Sequence, residues 1–423
     1  MSRYEKYPAY RDSGVEWIGE IPGHWEVTRL KRVARFAYGD SLAAENRVEG
    51  RVGVFGSNGE VGFHNKANTK SPVIIIGRKG SYGKLTFIDS SVFAIDTTYF
   101  IDSENTQSNL RWLYYGLGCL ALDKDSKDSA VPGLAREDAY KKSIPVPPLE
   151  EQQAIASFLD RKTAQINDLI TKKEELLKKL DEKRTALITR AVTKGLDPSA
   201  PMKDSGIEWI GEIPKHWVIW KVTHGFNTIG SGTTPKSDNS DFYDGNIPWV
   251  TTSELRETVI ENTSQKISID AFQSHSALKI YPAGSIVIAM YGATIGRLGI
   301  LGVDATVNQA CCVFAQPTTF KPRFFYYWLL MRKPILISLS TGGGQPNLSL
   351  EDLKNIRIPT PPLEEQQAIA EQIEKKTAII DRQKTQVTEA IERLKEYRSA
   401  LITDAVTGKM DVHSIGKKES LST

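Results

Sequence analysis

The decapeptide PPLEEQQAIA occurs at Pro147 to Ala156 and again at Pro361 to Ala370, an offset of 214 residues. Each copy opens a segment free of glycine and proline, Leu149 to Lys194 in the first case and Leu363 to Thr407 in the second. The paired prolines end what precedes them and suit the start of a helix. Glu150, Glu151, Glu364 and Glu365 place negative charge at the amino end, where the helix dipole favours it, and Gly195 and Gly408 follow as stops. Apolar residues return at three, four or seven positions: Ile155, Leu159, Ile166, Leu169, Leu176, Leu180 and Leu187, then Ile369, Ile373, Ile380, Val387, Ile391, Leu394 and Leu401. The spacing predicts two amphipathic helices, each about 68 Å long at 1.5 Å per residue. No compact domain hides such a helix internally. Each seam needs a partner, and the nearest partner in the same chain is the other helix.

Two more phrases return. ALIT-x-AVT stands at Ala186 to Thr193 and at Ala400 to Thr407, again 214 apart, whereas DSGVEWIGEIPGHW begins at Asp12 and DSGIEWIGEIPKHW at Asp204, 192 apart. The two repeats therefore differ in length mainly upstream of the second PPLEEQQ block. Between the shared phrases lie short β-prone runs such as SPVIIIG, KLTFID, SVFAIDTTYFI, GSIVIAM, GRLGILG and QACCVFAQ, punctuated by Gly, Ser, Asp and Asn. They predict twisted, mixed or antiparallel sheet, with short helices near Ser108 to Leu120 and Pro322 to Met331. The class is α+β. The expected division is a domain over 1–145, a helix over 146–200, a similar domain over 201–358, a second helix over 359–411 and a flexible tail over 412–423.

Composition removes several classes of function. The 54 basic and 51 acidic residues leave a formal charge of +3, so any nucleic-acid surface must be a local patch. Cys119, Cys311 and Cys312 form no CxxC pair, which suits a reducing compartment and gives no zinc framework. No run approaches the roughly 18 apolar residues of a membrane span, and no signal core opens the chain, so the cytoplasm is expected. SGTTPKS lacks the second glycine of a P-loop. Asp238, Asp241 and Asp244 sit in a polar loop without a basic neighbour placed to assist water, which reads as solvated loop. No catalytic residue, metal or cofactor of its own is expected. The opening phrases, with Trp17, Ile18, Ile21, His24, Trp25 and their counterparts Trp209, Ile210, Ile213, His216, Trp217, suit a clamp or a docking surface. Neither histidine has an acidic partner at a fixed helical spacing.

The order of variable segment, PPLEEQQAIA helix, variable segment, PPLEEQQAIA helix resembles the specificity subunit of type I restriction-modification enzymes over Asp12 to about Asp411. GSGTTPKSDNSDFYDGNIPWVTTSEL from Gly230, MYGATIGRLGI from Met290, VNQACCVF from Val307 and GGGQPNLSLEDLKNIRIPTPPLEEQ from Gly342 carry the likeness. The resemblance implies two target-recognition domains, each reading one half of an interrupted, asymmetric DNA site, and two antiparallel coiled-coil-like helices that relate them pseudo-twofold and act as a ruler. It also implies two methyltransferase subunits that use S-adenosylmethionine, and restriction subunits that use ATP and Mg. The chain itself would neither cut nor methylate. The alternative reading is a non-catalytic coiled-coil scaffold whose variable domains bind protein partners.

Within that frame the candidate DNA contacts are residues able to hydrogen-bond base edges or phosphates. The first domain offers Arg78, Lys79, Tyr82 and Lys84 around Gly80 and Gly83; the second offers Tyr291, Thr294 and Arg297 around Gly292 and Gly296. For these glycine-bracketed segments DNA contact and plain turn structure both fit. Ser231, Thr233, Thr234 and Lys236 stand in the glycine-rich loop, and Gln345 and Asn347 follow three glycines. Thr97 and Thr98 in the first domain, paired with Asn308 and Gln309 in the second, follow an apolar strand; they suit either base reading or the satisfying of backbone groups. Arg29, Lys31, Arg32 and Arg35 form a basic run that equally suits a solvated face.

Overall fold

A computed structural model describes residues 5–124, 133–338 and 347–412. The chain divides into two compact units, the first made of residues 1–174 and 388–423, the second of residues 175–387. In chain order the first unit contains strands β1 (Tyr10–Asp12), β2 (Glu20–Pro22), β3 (Glu26–Arg29), β4 (Ala37–Tyr38), β5 (Val52–Gly56), β6 (Gly59–His64), β7 (Val73–Gly77), β8 (Leu85–Ile88), β9 (Phe93–Ala94) and β10 (Thr98–Ile101). Helices α1 (Leu110–Gly118) and α2 (Arg136–Lys141) and strand β11 (Ser143–Val146) lead into helix α3 (Leu149–Lys194). An antiparallel sheet has the order β4-β10-β7-β8, and a smaller one the order β6-β5-β9 with β9 parallel to β5. Strand β7, VIIIG, is buried along its whole length, which is why it reads as an unbroken β-branched run and not as an alternation.

The second unit repeats this plan with β12 (Met202–Asp204), β13 (Glu212–Pro214), β14 (Val218–Lys221), β15 (Phe226–Gly230), β16 (Ile247–Val250), β17 (Val259–Ile260), β18 (Lys266–Ile267), α4 (Ile269–Ser274), β19 (Ile286–Ala289), β20 (Leu298–Leu301), β21 (Thr306–Val307) and β22 (Cys311–Pro317). Helices α5 (Pro322–Ser338) and α6 (Leu350–Lys354) and strand β23 (Arg357–Thr360) lead into helix α7 (Leu363–Val406), whose residues from Thr388 on belong to the first unit as those of α3 from Glu175 on belong to the second. Its main sheet, β15-β22-β19-β20-β17, carries one strand more than that of the first unit, and β21 pairs parallel with β16 as β9 does with β5. Helix α5 runs past Met331 and across Pro334 to Ser338, further than the aromatic cluster alone indicated. A single core joins Phe226, Phe314, Phe325 and Trp328 to Ile188, Val192, Ile369 and Ile373 of the long helices, so sheet and helices of this unit are one packed body. Each unit is α+β.

Segments of α3 and α7 pair in each unit. In the second, Lys384 Nζ lies 2.5 Å from Asp181 Oδ1 and Arg184 Nε 3.5 Å from Asp381 Oδ1, so the numbering rises along α3 as it falls along α7 and the segments are antiparallel. In the first, Arg398 donates to the Asn167 side-chain oxygen. The apolar seam differs from the expected one at two places. Leu169 and Leu176 are 46% and 43% exposed; Ile170 is buried instead, and Leu159, Thr163, Ile166 and Ile170 step at four, three and four residues. A leucine one position away lies about 100° round the helix and faces water. Ile155, Leu159, Ile166, Leu180, Ile369, Ile373, Ile380, Ile391 and Leu401 are buried, while Leu187, Val387 and Leu394 are half-buried.

The repeated phrases meet in three dimensions. In the first unit the Trp25 indole N–H donates to Glu151 Oε2 at 2.9 Å, His24 Nε2 lies 2.6 Å from Glu151 Oε1, and the Tyr7 hydroxyl donates to Glu151 Oε2 at 3.0 Å. In the second, Trp217 donates to Glu365 Oε1 at 3.0 Å and His216 Nε2 lies 2.7 Å from Glu365 Oε2. The acidic partner that no local spacing revealed thus comes from the helix start of the other phrase. Gln152 and Gln366 use their side-chain N–H to bind the carbonyls of Pro147 and Pro361, both at 2.9 Å, and their oxygens accept from the amides of Asn109 and Lys321. The ALIT-x-AVT ends close the joint. Gly195 and Gly408 both have φ of +72°, and a Cβ on Gly408 would lie 2.3 Å from Pro22 Cδ. Burial raises the Glu151 carboxyl, but hydrogen bonds from His24, Trp25 and Tyr7 outweigh it and hold the group below its ordinary range.

Candidate nucleic-acid interface

Strand register places the candidate residues. In the second unit β19 pairs with both β22 and β20, and the chain between β19 and β20 makes a tight turn. Gly292 and Gly296 occupy left-handed conformations, φ +64° and +74°, and the Ala289 N–H reaches the Arg297 carbonyl at 2.9 Å. Tyr291 is 42% exposed, Arg297 is exposed, and the Thr294 hydroxyl donates to the Tyr291 carbonyl at 3.1 Å. Tyr291 also forms a β-bridge with Asn347. Beside this turn, the Met290 N–H donates to the Ala310 carbonyl at 2.8 Å and the Gly232 N–H to the Asn308 carbonyl at 3.3 Å. A Cβ on Gly232 would stand 1.7 Å from the Val307 carbonyl oxygen, so only glycine lets the loop approach. The Thr234 hydroxyl donates to Gln309 Oε1 at 2.5 Å.

The structure therefore brings Thr234, Asn308, Gln309, Tyr291 and Asn347 to one end of the sheets, with Thr294 and Arg297 on the adjoining turn. Ser231 and Thr233 serve it through their carbonyls, which accept from the Tyr281 hydroxyl and the Trp249 indole. Lys236 is exposed further along the loop. Gln345 lies outside the described residues.

The first unit builds the same surface from other residues. Arg78 and Lys79 donate their backbone N–H groups to the Thr97 carbonyl at 2.9 and 3.2 Å, and Lys79 bridges Gly133 as Tyr291 bridges Asn347. The Arg78 guanidinium lies over the Tyr38 ring at 5.3 Å, with Arg136 over the same ring at 5.0 Å. Lys79 is exposed, Tyr82 half-buried, and Lys84 Nζ is held by the Asn58 carbonyl at 2.8 Å. Lys31, Arg32 and Arg35 are exposed around an open hollow that Glu104 and Asn105 also line.

One expected pairing changes. Thr97 and Thr98 do not stand where Asn308 and Gln309 stand. Thr98 pairs with Gly77, the last residue of β7, as Cys311 pairs with Ala289, the last residue of β19. Thr97 thus takes the place of Ala310, and Ile95 and Asp96 take the places of Asn308 and Gln309. The parallel pairs agree, since the Ile95 N–H donates to the Phe55 carbonyl and the Asn308 N–H to the Val250 carbonyl, both at 3.0 Å. Thr98 is buried and spends its hydroxyl on the Ile95 carbonyl at 2.7 Å, so it is closed to any ligand. The glycine-rich loop also has a counterpart that its sequence conceals. Tyr38 pairs with Tyr99, so Gly39 takes the place of Gly232, and a Cβ on Gly39 would lie 2.1 Å from the Ile95 carbonyl oxygen. The informative signal was this single glycine, not a GSG string.

Comparison with known proteins places the chain in a family. The family described as type I restriction modification DNA specificity domain matches residues 22–179 and 214–393. The EcoBI specificity subunit of Escherichia coli is 26% identical over 80% of this chain and 73% of its own length. The EcoR124I/EcoR124II specificity subunit, also of Escherichia coli, is 24% identical over 91% of both chains. A solved chain from work on complex assembly and conformational transition of the type I R-M system shares the fold with a TM-score of 0.72 at 15% identity, covering 91% of this chain and 98% of its own.

Proposed function

The chain belongs to the type I restriction-modification DNA specificity family, and from that premise we propose that it is the sequence-reading subunit of such a complex. It binds double-stranded DNA and performs neither methylation nor cleavage. Residues 1–145 and 201–358 each read one half of a bipartite, asymmetric site, and the helices over 146–200 and 359–411 set the gap between the halves. Two methyltransferase subunits and the restriction subunits assemble on it in the cytoplasm, and S-adenosylmethionine, ATP and Mg belong to those partners. Half-sites on one face of the duplex lie about 34–36 Å apart, a distance that helices of about 45 residues comfortably exceed.

The observation that carries this reading is a division of labour. In each unit the repeated tryptophan of the HW pair, its histidine and the second glutamate of PPLEEQQ bind one another in the joint, whereas the turns after β7 and β19 stay open and carry different donors and acceptors. Readers of unlike half-sites need that combination. Sequencing of host DNA for methylated adenine, with and without this gene, tests it. Two short motifs with a fixed gap are expected, and they should vanish when the gene is removed. One uninterrupted motif would refute the bipartite reading.

A further inference from the structure

The turn between β9 and β10 presents one side chain from a rigid base. Its four residues run from Ile95 to Thr98, and Thr98 closes it twice, giving its N–H at 2.9 Å and its hydroxyl at 2.7 Å to the Ile95 carbonyl. Parallel pairing with β5 anchors one side and antiparallel pairing with β7 the other. Asp96 is the second residue of this turn. It is exposed, and no hydrogen bond or ion pair engages its carboxylate among the described residues. Its neighbour Thr97 accepts from the amides of Arg78 and Lys79, so the two cations branch from the strand end alongside. The cations draw phosphates in, and a carboxylate repels them. A carboxylate at this point has acceptors only, which fit an exocyclic amino group in the major groove and match cytosine N4.

The second unit has the same turn with a different tip. Cys311 N–H reaches the Asn308 carbonyl at 3.3 Å and Ala310 N–H the Asn308 side-chain oxygen at 3.1 Å, while Gln309 stands exposed where Asp96 stands in the first unit. Thr234 occupies one lone pair of Gln309 Oε1, and the other lone pair and both amide N–H donors have no partner among the described residues. That set matches adenine, whose N6 donates and whose N7 accepts.

We propose that this turn position reads a base in both units: Asp96 takes the amino group of a cytosine in one half-site, and Gln309 grips an adenine in the other. The assignment rests on the DNA-reading function proposed above and names the residues that set its specificity. A base-reading side chain held on a closed turn between paired strands needs little ordering when DNA arrives.

The test uses the full chain in its assembled methyltransferase complex, with Asp96→Ala, Asp96→Asn and Gln309→Ala compared by host methylation sequencing. In Asp96→Ala a cytosine in one half-motif should become degenerate while the other half is unchanged, and Asp96→Asn should admit adenine there. Gln309→Ala should do the reverse, loosening an adenine in the other half. Should a variant lose methylation altogether, competition among duplexes carrying each base at each position decides in the same way. Discrimination at one position should fall about 5- to 150-fold, with binding to unrelated duplex retained. Variant motifs identical to the wild type, or a loss spread evenly over all positions, would overturn the assignment and leave the bipartite reading intact. A wild-type motif without a gap would overturn both.

Discussion

The joint around Glu151 and Glu365 and the candidate reading turns around Lys79 and Tyr291 obey opposite rules. At the joint the two repeats agree almost letter for letter, and nearly every group is buried or bonded: Trp25 and Trp217 are fully buried, and each gives its indole N–H to a glutamate. At the turns the backbone path agrees while the side chains do not, since Lys79 answers Tyr291, Lys84 answers Arg297 and Asp96 answers Gln309. Identity marks the places where packing leaves no choice. Difference marks the places where water, or a ligand, does the choosing.

Substitutions separate the two rules most sharply at the tryptophans. Trp217→Ala should cost about 3–5 kcal/mol in denaturant unfolding through the cavity it leaves, whereas Tyr291→Ala should stay within about 0.5 kcal/mol. Equal losses would erase the contrast. A smaller effect distinguishes the two joints from each other. Ala at Gly408 or at Gly195 meets the same left-handed penalty of about 1–2 kcal/mol, but only at Gly408 does the new Cβ press within 2.3 Å of Pro22, against 3.2 Å from the Glu365 carboxylate at Gly195. Gly408→Ala should therefore lower the melting temperature further than Gly195→Ala. The smallest effect concerns pH. Because Glu151 sits below its ordinary range, its contribution is present above the unfolded-state value and is lost as pH falls through the lower folded value. Melting temperature followed downward through the acid range should drop less steeply in Glu151→Gln than in the wild type.

Much of the frame was legible because it is local. Freedom from glycine and proline, the prolines before the helices and the glycines after them delimit α3 and α7 with no knowledge of the rest. The seam was harder. Leu169–Ile170 and Leu176–Leu177 are apolar doublets, and a spacing rule accepts either member; the partner helix decides. The candidate surface was legible in its glycines and cations but not in its alignment. Thr97–Thr98 and Asn308–Gln309 look equivalent when strands are matched by their apolar runs, and the pairing of β10 with β7 and of β22 with β19, with which the parallel pairs β5–β9 and β16–β21 agree, fixes the register. The pairing of His24 with Glu151 was invisible for a related reason: the partners are 127 residues apart.

The shared joint has an evolutionary consequence. A gene segment running from one copy of the opening phrase to the next PPLEEQQ brings its own tryptophan, histidine, glutamate and glutamine, so crossovers placed inside the repeated text would splice in a foreign reader with the hydrogen bonds of its joint intact, leaving its packing against helix residues such as Ile188 and Val192 to be matched. New target sequences could then arise by wholesale exchange between related genes, with the folded frame inherited intact.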